Sequence, residues 1–525
     1  MSQSTNLARS TVRQLIELGI SDVVISPGSR NAPLSLAFAE AASKNLIRMH
    51  LRIDERSAAF FALGLSKASN QYVPVLSTSG TAVANYFPAL LEAYHSGNKL
   101  LLLTADRPER LRKTGANQTT LQSGIFGNFV SKSIDSSTPI DISNLLNGTG
   151  PIHINLQFDE PLLPSDQIDW LAGVKIQPLP QRYLAPGEIS INQKRTLIIL
   201  GHDKGGFDVS ELNEFIKESR AVLISEDPLA FPDAIAHHSI ILSSEKARSE
   251  LTPDLVIVIG RTTLTRSTNA LINGAKRIMV IDPKISEIDT RRSADEIHSA
   301  LPKVLATESD PSWRAEWERY SKFAAMALEA SAPWSETRVA QNLSQFKFDA
   351  FFIASSRPIR DIEAAAVSKS SLNTFANRGL AGIDGNISTA MGIATQFNKT
   401  LAVLGDLAFL HDISALTNEI DENLTILVVD NNGGGIFSTL PQRGVPYFEE
   451  VFGTPHNKSI KKIASGFGIK VLEVESVDEL NNALSNAVKK PKNKGVSVVV
   501  AKVPDRESNA DNLVFITSEF NNLIS

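Results

Sequence analysis

TLAVLGDL (400–407) and LTILVVDNNGGGIFSTLP (424–441) decide how the chain is read. Each opens as a short apolar, β-branched run, and each run closes on polar groups: Gly405-Asp406 in the first, Asp430-Asn431-Asn432 in the second. Runs of this kind are strands of a parallel sheet, and open α/β sheets bind ligands outside the carboxyl ends of their strands. The pattern puts Asp406 and Asn431, 25 positions apart, at one sheet edge, with Gly433, Gly434 and Gly435 allowing close backbone approach. One carboxylate, one amide oxygen and one free carbonyl make a hard, oxygen-only set suited to Mg²⁺, with diphosphate oxygens completing an octahedron. Taken singly, Asp406 reads equally well as a helix cap and the second stretch as an Asn-Gly turn. On consecutive strands the two together favour a metal–diphosphate site.

Outward from these stretches, similar runs recur and alternate with amphipathic segments. DVVIS (22–26), VPVLS (73–77), KLLLLT (99–104) and PIHINLQF (151–158) are followed by TLIILG (196–201), AVLISE (221–226), DLVIVIG (254–260) and RIMVID (277–282). The last set adds SLNTFANRG (371–379), IKVLEV (469–474) and VSVVVAKV (496–503) to the opening pair. Helical spacing of Ala, Phe and Leu marks 55–69, 81–94 and 313–328, and a further strand is expected over 47–53. This alternation is the signature of parallel strands joined by helices. The Pro-rich QPLPQRYLAPGE (177–188) lacks periodicity and reads as a linker. The expected fold is therefore α/β, three sequential domains with mostly parallel sheets: residues 1–176, 189–310 and 340–525.

Composition removes other classes. At 525 residues, with 42% hydrophobic and 21% charged residues and a net charge of −5, the chain is an ordinary globular one with no global field for nucleic acid or anionic lipid. The absence of cysteine eliminates disulfides, thiolate nucleophiles and thiolate metal sites, so any metal is held by O or N. No secretory signal opens the sequence and no apolar run is long enough to span a membrane, so a cytoplasmic location is expected. RPERLRK (107–113) is short and lacks interleaved aromatics, which argues against a nucleic-acid surface. HExxH, Walker and Rossmann signatures are missing, and His237-His238 reads as surface or core rather than as a site.

The Gly-Asp to Asn-Asn spacing resembles the thiamine diphosphate motif, with Leu407 at its usually glycine third position. SPGSRNAPLSLAF (26–38), TSGTAVANYFPALLEA (78–93), LTADRPERLRKTGANQTTLQ (103–122), NRGLAGIDGNISTAMG (377–392) and GGGIFSTLP (433–441) narrow the likeness to one branch. They resemble the 2-succinyl-5-enolpyruvyl-6-hydroxy-3-cyclohexene-1-carboxylate synthase family of menaquinone biosynthesis. That resemblance implies a pyrimidine-binding, a central and a diphosphate-binding domain, a thiamine diphosphate-binding fold, and at least a homodimer whose sites draw on both subunits. It further implies that thiamine diphosphate and Mg²⁺ (or Mn²⁺) support decarboxylation of 2-oxoglutarate and conjugate addition of the resulting carbanion equivalent to isochorismate. By the same resemblance Asp406, Asn431 and Gly433 hold the metal, and Glu55, in RIDERSAAFFALG, bonds the aminopyrimidine. Without it, Glu55 reads as a first-turn acid favoured by the helix dipole. Ile383, Leu407, Ile436, Phe437 and Leu440 are expected at the cofactor. Ser29, Arg30, Arg107, Asn117, Gln118, Ser356, Arg360 and Arg378 are expected at the substrates, whose carboxylates suit the Arg fork. Arg266 is added from the middle domain, where Thr265-Arg266 replaces the Lys-Arg pair common in the family. The rival readings are another thiamine-dependent 2-oxoacid decarboxylase or carboligase, and a non-catalytic cofactor- or anion-binding homologue.

Overall fold

The computed structural model describes residues 2–178, 185–283, 293–489 and 495–525; residues 179–184 of the expected linker lie outside them. The first sheet contains β1 (Asp22–Ile25), β2 (Arg48–Leu51), β3 (Val73–Ser77), β4 (Leu100–Asp106), β5 (Lys132–Ser136) and β6 (Ile152–Gln157), in the order β2-β1-β3-β4-β6-β5. A two-stranded parallel pair joins β7 (Glu188–Ile191) to β13 (Lys303–Thr307). The middle sheet, β12-β11-β10-β8-β9, is made of β8 (Thr196–Leu200), β9 (Val222–Ser225), β10 (Leu255–Ile259), β11 (Arg277–Ile281) and β12 (Glu296–His298). The third comprises β14 (Ala350–Ile353), β15 (Thr374–Phe375), β16 (Lys399–Gly405), β17 (Asn423–Asp430), β18 (Lys470–Val474) and β19 (Val496–Lys502), ordered β15-β14-β16-β17-β19-β18. Pairing is parallel throughout these sheets.

Counted from its own first strand, the third sheet repeats the order of the first, so both reverse direction between their first and third strands. That reversal opens a crevice at the carboxyl edge, between β1 and β3 in one sheet and between β14 and β16 in the other.

The central strands of the third sheet, β14, β16, β17 and β19, are buried on both faces because each face meets a different part of the chain. Leu424, Ile426 and Val428 of β17 join a core shared with Val24, Val75, Leu100 and Leu102 of the first sheet. Leu427 and Val429, pointing the other way, join a core shared with Leu197, Ile199 and Val256 of the middle sheet. The first contact runs through the helices Glu55–Ser69 and Asn386–Ala394, which approach closely because neither carries a side chain at the crossing. A Cβ on Gly64 would lie 2.1 Å from the Thr389 carbonyl oxygen, and one on Gly392 2.2 Å from that of Phe61.

Two expectations need correction. The single helix expected over 81–94 is two, Thr81–Ala84 and Phe87–Ser96, since Pro88 in the first turn of the second removes an N–H and starts a new helix. Asp406 is not the last strand residue but the first of the helix Asp406–His411, directly after Gly405 closes β16. The His237-His238 pair is buried, with His237 Nδ1 2.8 Å from the Ala364 carbonyl and His238 Nε2 3.1 Å from Glu363, which makes it core.

Candidate active site

A cavity lies at the crevice of the third sheet, where open α/β sheets bind their ligands. Its walls come from the segments that follow β14, β16 and β17: Ser355 to Pro358, Gly405 to Ala408, and Asn431 with Gly433 to Phe437. Ile383 closes it from the loop before Asn386–Ala394, a large apolar side chain left 37% exposed.

Gly405 and Val429 are register partners on neighbouring strands, so Asp406 and Asp430, the next residues, stand side by side. Asp406 Oδ1 accepts from the Leu407 N–H at 2.7 Å and Oδ2 from the Gly433 N–H at 2.7 Å. Asn431 Oδ1 accepts from that same Gly433 N–H at 3.1 Å, so the two oxygens converge on one point. His456 Nε2 lies 3.2 Å from Asp406 and 3.6 Å from Asp430, whose other oxygen accepts from Lys502 Nζ at 2.9 Å. Burial pushes the Asp406 carboxyl above its ordinary range, although the His456 hydrogen bond pulls the other way. A buried, acid-rich pair with an amide oxygen turned toward it fits a divalent cation, and Gly405, beside which a Cβ would meet nothing within 4 Å, leaves open space next to it. The chain's residues therefore fit a metal–diphosphate group.

The other expected residues divide into two sets. Ser356, Ile383, Leu407, Ile436 and Phe437 line the cavity with Asp406, Asn431 and Gly433, whereas Leu440 follows Phe437–Thr439 without reaching its wall. Ser356 holds φ at +76°, and its carbonyl accepts from Arg360 Nη1 at 2.8 Å. Arg378 is buried behind the cavity, donating to Ser355 Oγ at 3.1 Å and to Thr263 Oγ1 at 2.6 Å; Arg360 and Arg378 feel each other's charge there. Arg266 is exposed at the start of the helix Arg266–Gly274.

The second set gathers at the corresponding crevice of the first sheet. Ser29 and Arg30 follow β1, and Arg107 follows β4, donating to Ser79 Oγ at 2.8 Å and to the Gln118 carbonyl at 2.7 Å. Arg30 Nη1 donates to the Phe158 carbonyl at 3.0 Å, close enough to Arg107 for its charge to lower the Arg107 pKa alongside burial. Ser29, Asn117 and Gln118 are exposed beside them.

Glu55 begins the helix Glu55–Ser69, which Asp54 caps by accepting from the N–H groups of Arg56 and Ser57. It is half-buried, and burial raises its pKa. It does not line the cavity of its own chain. Its helix is nevertheless tied to the third sheet: Asp54 accepts from Ser414 Oγ at 2.6 Å, Arg56 donates to the His411 carbonyl at 3.0 Å, and Ser57 and Ser388 share a 2.9 Å hydrogen bond.

Four side chains here were not among those expected. Glu336, Arg357 and Asp361 line the cavity and His456 stands on Asp406. Arg357 lies directly after Ser356, already singled out, but Glu336 and His456 come from segments with no local signal of a site.

A match to the thiamine pyrophosphate enzyme N-terminal TPP binding domain covers residues 5–125, and one to the C-terminal TPP binding domain covers residues 363–501. Cavity, oxygen set and both matches define the class: a thiamine pyrophosphate enzyme. Similar proteins include the 2-succinyl-5-enolpyruvyl-6-hydroxy-3-cyclohexene-1-carboxylate synthases of Thermobifida fusca (36% identical, covering 92% of this chain and 94% of that one) and Lysinibacillus sphaericus (33%, 94% and 95%). That of Renibacterium salmoninarum is 36% identical, covering 92% of both chains. The chain belongs to the 2-succinyl-5-enolpyruvyl-6-hydroxy-3-cyclohexene-1-carboxylate synthase family. Among the described residues no helix is long and apolar enough to cross a membrane.

Proposed function

We propose that the protein decarboxylates 2-oxoglutarate and adds the resulting four-carbon unit to isochorismate, using thiamine diphosphate and Mg²⁺ or Mn²⁺. The observation that carries the metal part is the convergence of Asp406 Oδ2 and Asn431 Oδ1 on the Gly433 N–H at the cavity edge. Asp406, Asn431 Oδ1 and the Gly433 carbonyl would hold the cation, and Ile383, Leu407, Ile436 and Phe437 would enclose the apolar part of the cofactor. When bound, the cofactor supplies the electron sink for decarboxylation. Glu55, its pKa raised by burial, would hold a proton at its carboxyl for exchange with the aminopyrimidine nitrogen. Arg30 and Arg107, which hydrogen-bond to protein groups beside the crevice of the first sheet, would turn their forks to substrate carboxylates with Ser29, Asn117 and Gln118. Arg360 and Arg378 would set the charge behind Ser355 and Ser356.

A homodimer follows in this reading. Glu55 is outside the cavity of its own chain, and Leu51 and Ile53 just before it are 57% and 69% exposed, an apolar edge suited to burial against a second copy. Each site would then join the Glu55 crevice of one subunit to the Asp406 cavity of the other. The test is a product assay with isochorismate, 2-oxoglutarate, thiamine diphosphate and Mg²⁺. The coupled product and CO₂ are expected; CO₂ release without coupling, or equal use of pyruvate, would overturn the substrate assignment.

A further inference from the structure

The carboxamide of Asn431 has a donor end and an acceptor end, and only its oxygen can hold a cation. Something must decide which end faces the site. Glu336, first residue of the helix Glu336–Asn342, accepts from Asn431 Nδ2 through Oε1, while its Oε2 accepts from Arg357 Nε at 3.3 Å. The same guanidinium donates to Asp361 one turn further along its own helix. Glu336 is itself fixed: its N–H donates to Asn509 Oδ1 at 2.9 Å, and Ser335 caps its helix. A carboxylate flanked by two donors has no proton to give, so an amide turned end for end would set oxygen against oxygen. Gly435 permits the contact, since a Cβ there would lie 2.3 Å from Asn431 Nδ2 and 3.4 Å from Glu336 Oε1.

We propose that Glu336 is a positioning residue that sets the polarity of the Asn431 amide and thereby turns its oxygen toward the metal–diphosphate site, with Arg357 holding Glu336 in place. This rests on the reading that Asn431 Oδ1 holds the cation. Partners of metal ligands commonly govern affinity by 10–100-fold.

The substitution Glu336→Gln exchanges one oxygen for NH₂ at nearly constant volume. Arg357 is a donor and claims the remaining oxygen, so the new NH₂ faces Asn431 and draws Oδ1 away from the site. Mn²⁺ binding in the presence of thiamine diphosphate, followed by the electron paramagnetic resonance of free Mn²⁺, should weaken by about tenfold or more. The exchanged pair E336Q with N431D should recover most of that loss, because the carboxylate introduced at position 431 accepts from the amide introduced at position 336 with one oxygen and presents the other to the cation. Thermal unfolding without metal or cofactor reports whether each variant is folded. If E336Q folds poorly, N431D alone carries the test: facing Glu336, the added carboxylate should weaken Mn²⁺ binding despite its charge. Wild-type affinity in E336Q, no recovery in the exchanged pair, or unchanged or tighter binding in N431D would overturn the proposal. Failure of the wild-type protein to bind Mn²⁺ with thiamine diphosphate would instead remove the metal-site reading beneath it.

Discussion

Asp406 occupies two positions at once, the first turn of a helix and the meeting point of Gly433 and His456, and its two possible roles separate experimentally. Asp406→Ala should abolish Mg²⁺-dependent binding of thiamine diphosphate in calorimetry. Loss of a first-turn acid at the helix dipole alone would cost about 0.3–1 kcal/mol of stability and leave cofactor affinity nearly unchanged. Glu55→Gln should leave folding and diphosphate binding intact but remove most C2 hydrogen–deuterium exchange of bound cofactor, since an amide cannot exchange a proton as a carboxyl does. Exchange at the wild-type rate would end that assignment. Side chains such as Asp406 and Asn431 are legible in the sequence because each follows its strand by one residue, and strand ends are locally encoded. His456 and Glu336 are not, because they arrive from chain segments 50 and 95 positions away from the groups they touch.

At the scale of elements, the decisive contact is the crossing of Glu55–Ser69 with Asn386–Ala394, which joins the first sheet to the third. Gly64→Val should force the helices apart, because its Cβ alone would lie 2.1 Å from the Thr389 carbonyl oxygen. Overpacking of this kind costs about 1–3 kcal/mol, measurable as a lower midpoint in urea unfolding, and a midpoint within error of wild type would show that the helices have room to move. The strands themselves are legible: β17 and β19 carry the apolar, largely β-branched runs 426–429 and 498–501, as strands buried on both faces do. Short or polar edges are not. Lys132–Ser136 and Lys303–Thr307 carry charge and small polar residues and become strands only because a neighbour offers a ladder of hydrogen bonds.

For the whole molecule, the separation of Glu55 from the cavity predicts complementation. In the proposed dimer, subunits carrying Glu55→Gln and subunits carrying Asp406→Ala should each be inactive, yet random remixing should restore about a quarter of wild-type activity, since half the dimers would be mixed and each would have one intact site. No recovery would place both residues in one chain's site. Stability should also fall with acidification. Burial holds His153 and His202 down to about 4 from an ordinary 6.5, so between these values the unfolded chain binds more protons than the native one. Their contribution is therefore complete above about 6.5 and is lost progressively toward about 4. His153→Gln should flatten the dependence of the urea midpoint on pH over that window, and an unchanged slope would show that His153 takes no part in it. The parallel α/β alternation, the strand-end oxygen groups and the family likeness are all legible along the chain, because strand burial and turn chemistry are written in neighbouring residues. Folding alone brings the third sheet's two faces against two different sheets, carries Glu336 and His456 to the oxygen cluster, and leaves Glu55 apart from it. Those relations depend on where distant segments come to rest, and no local pattern of side chains specifies a distance between them.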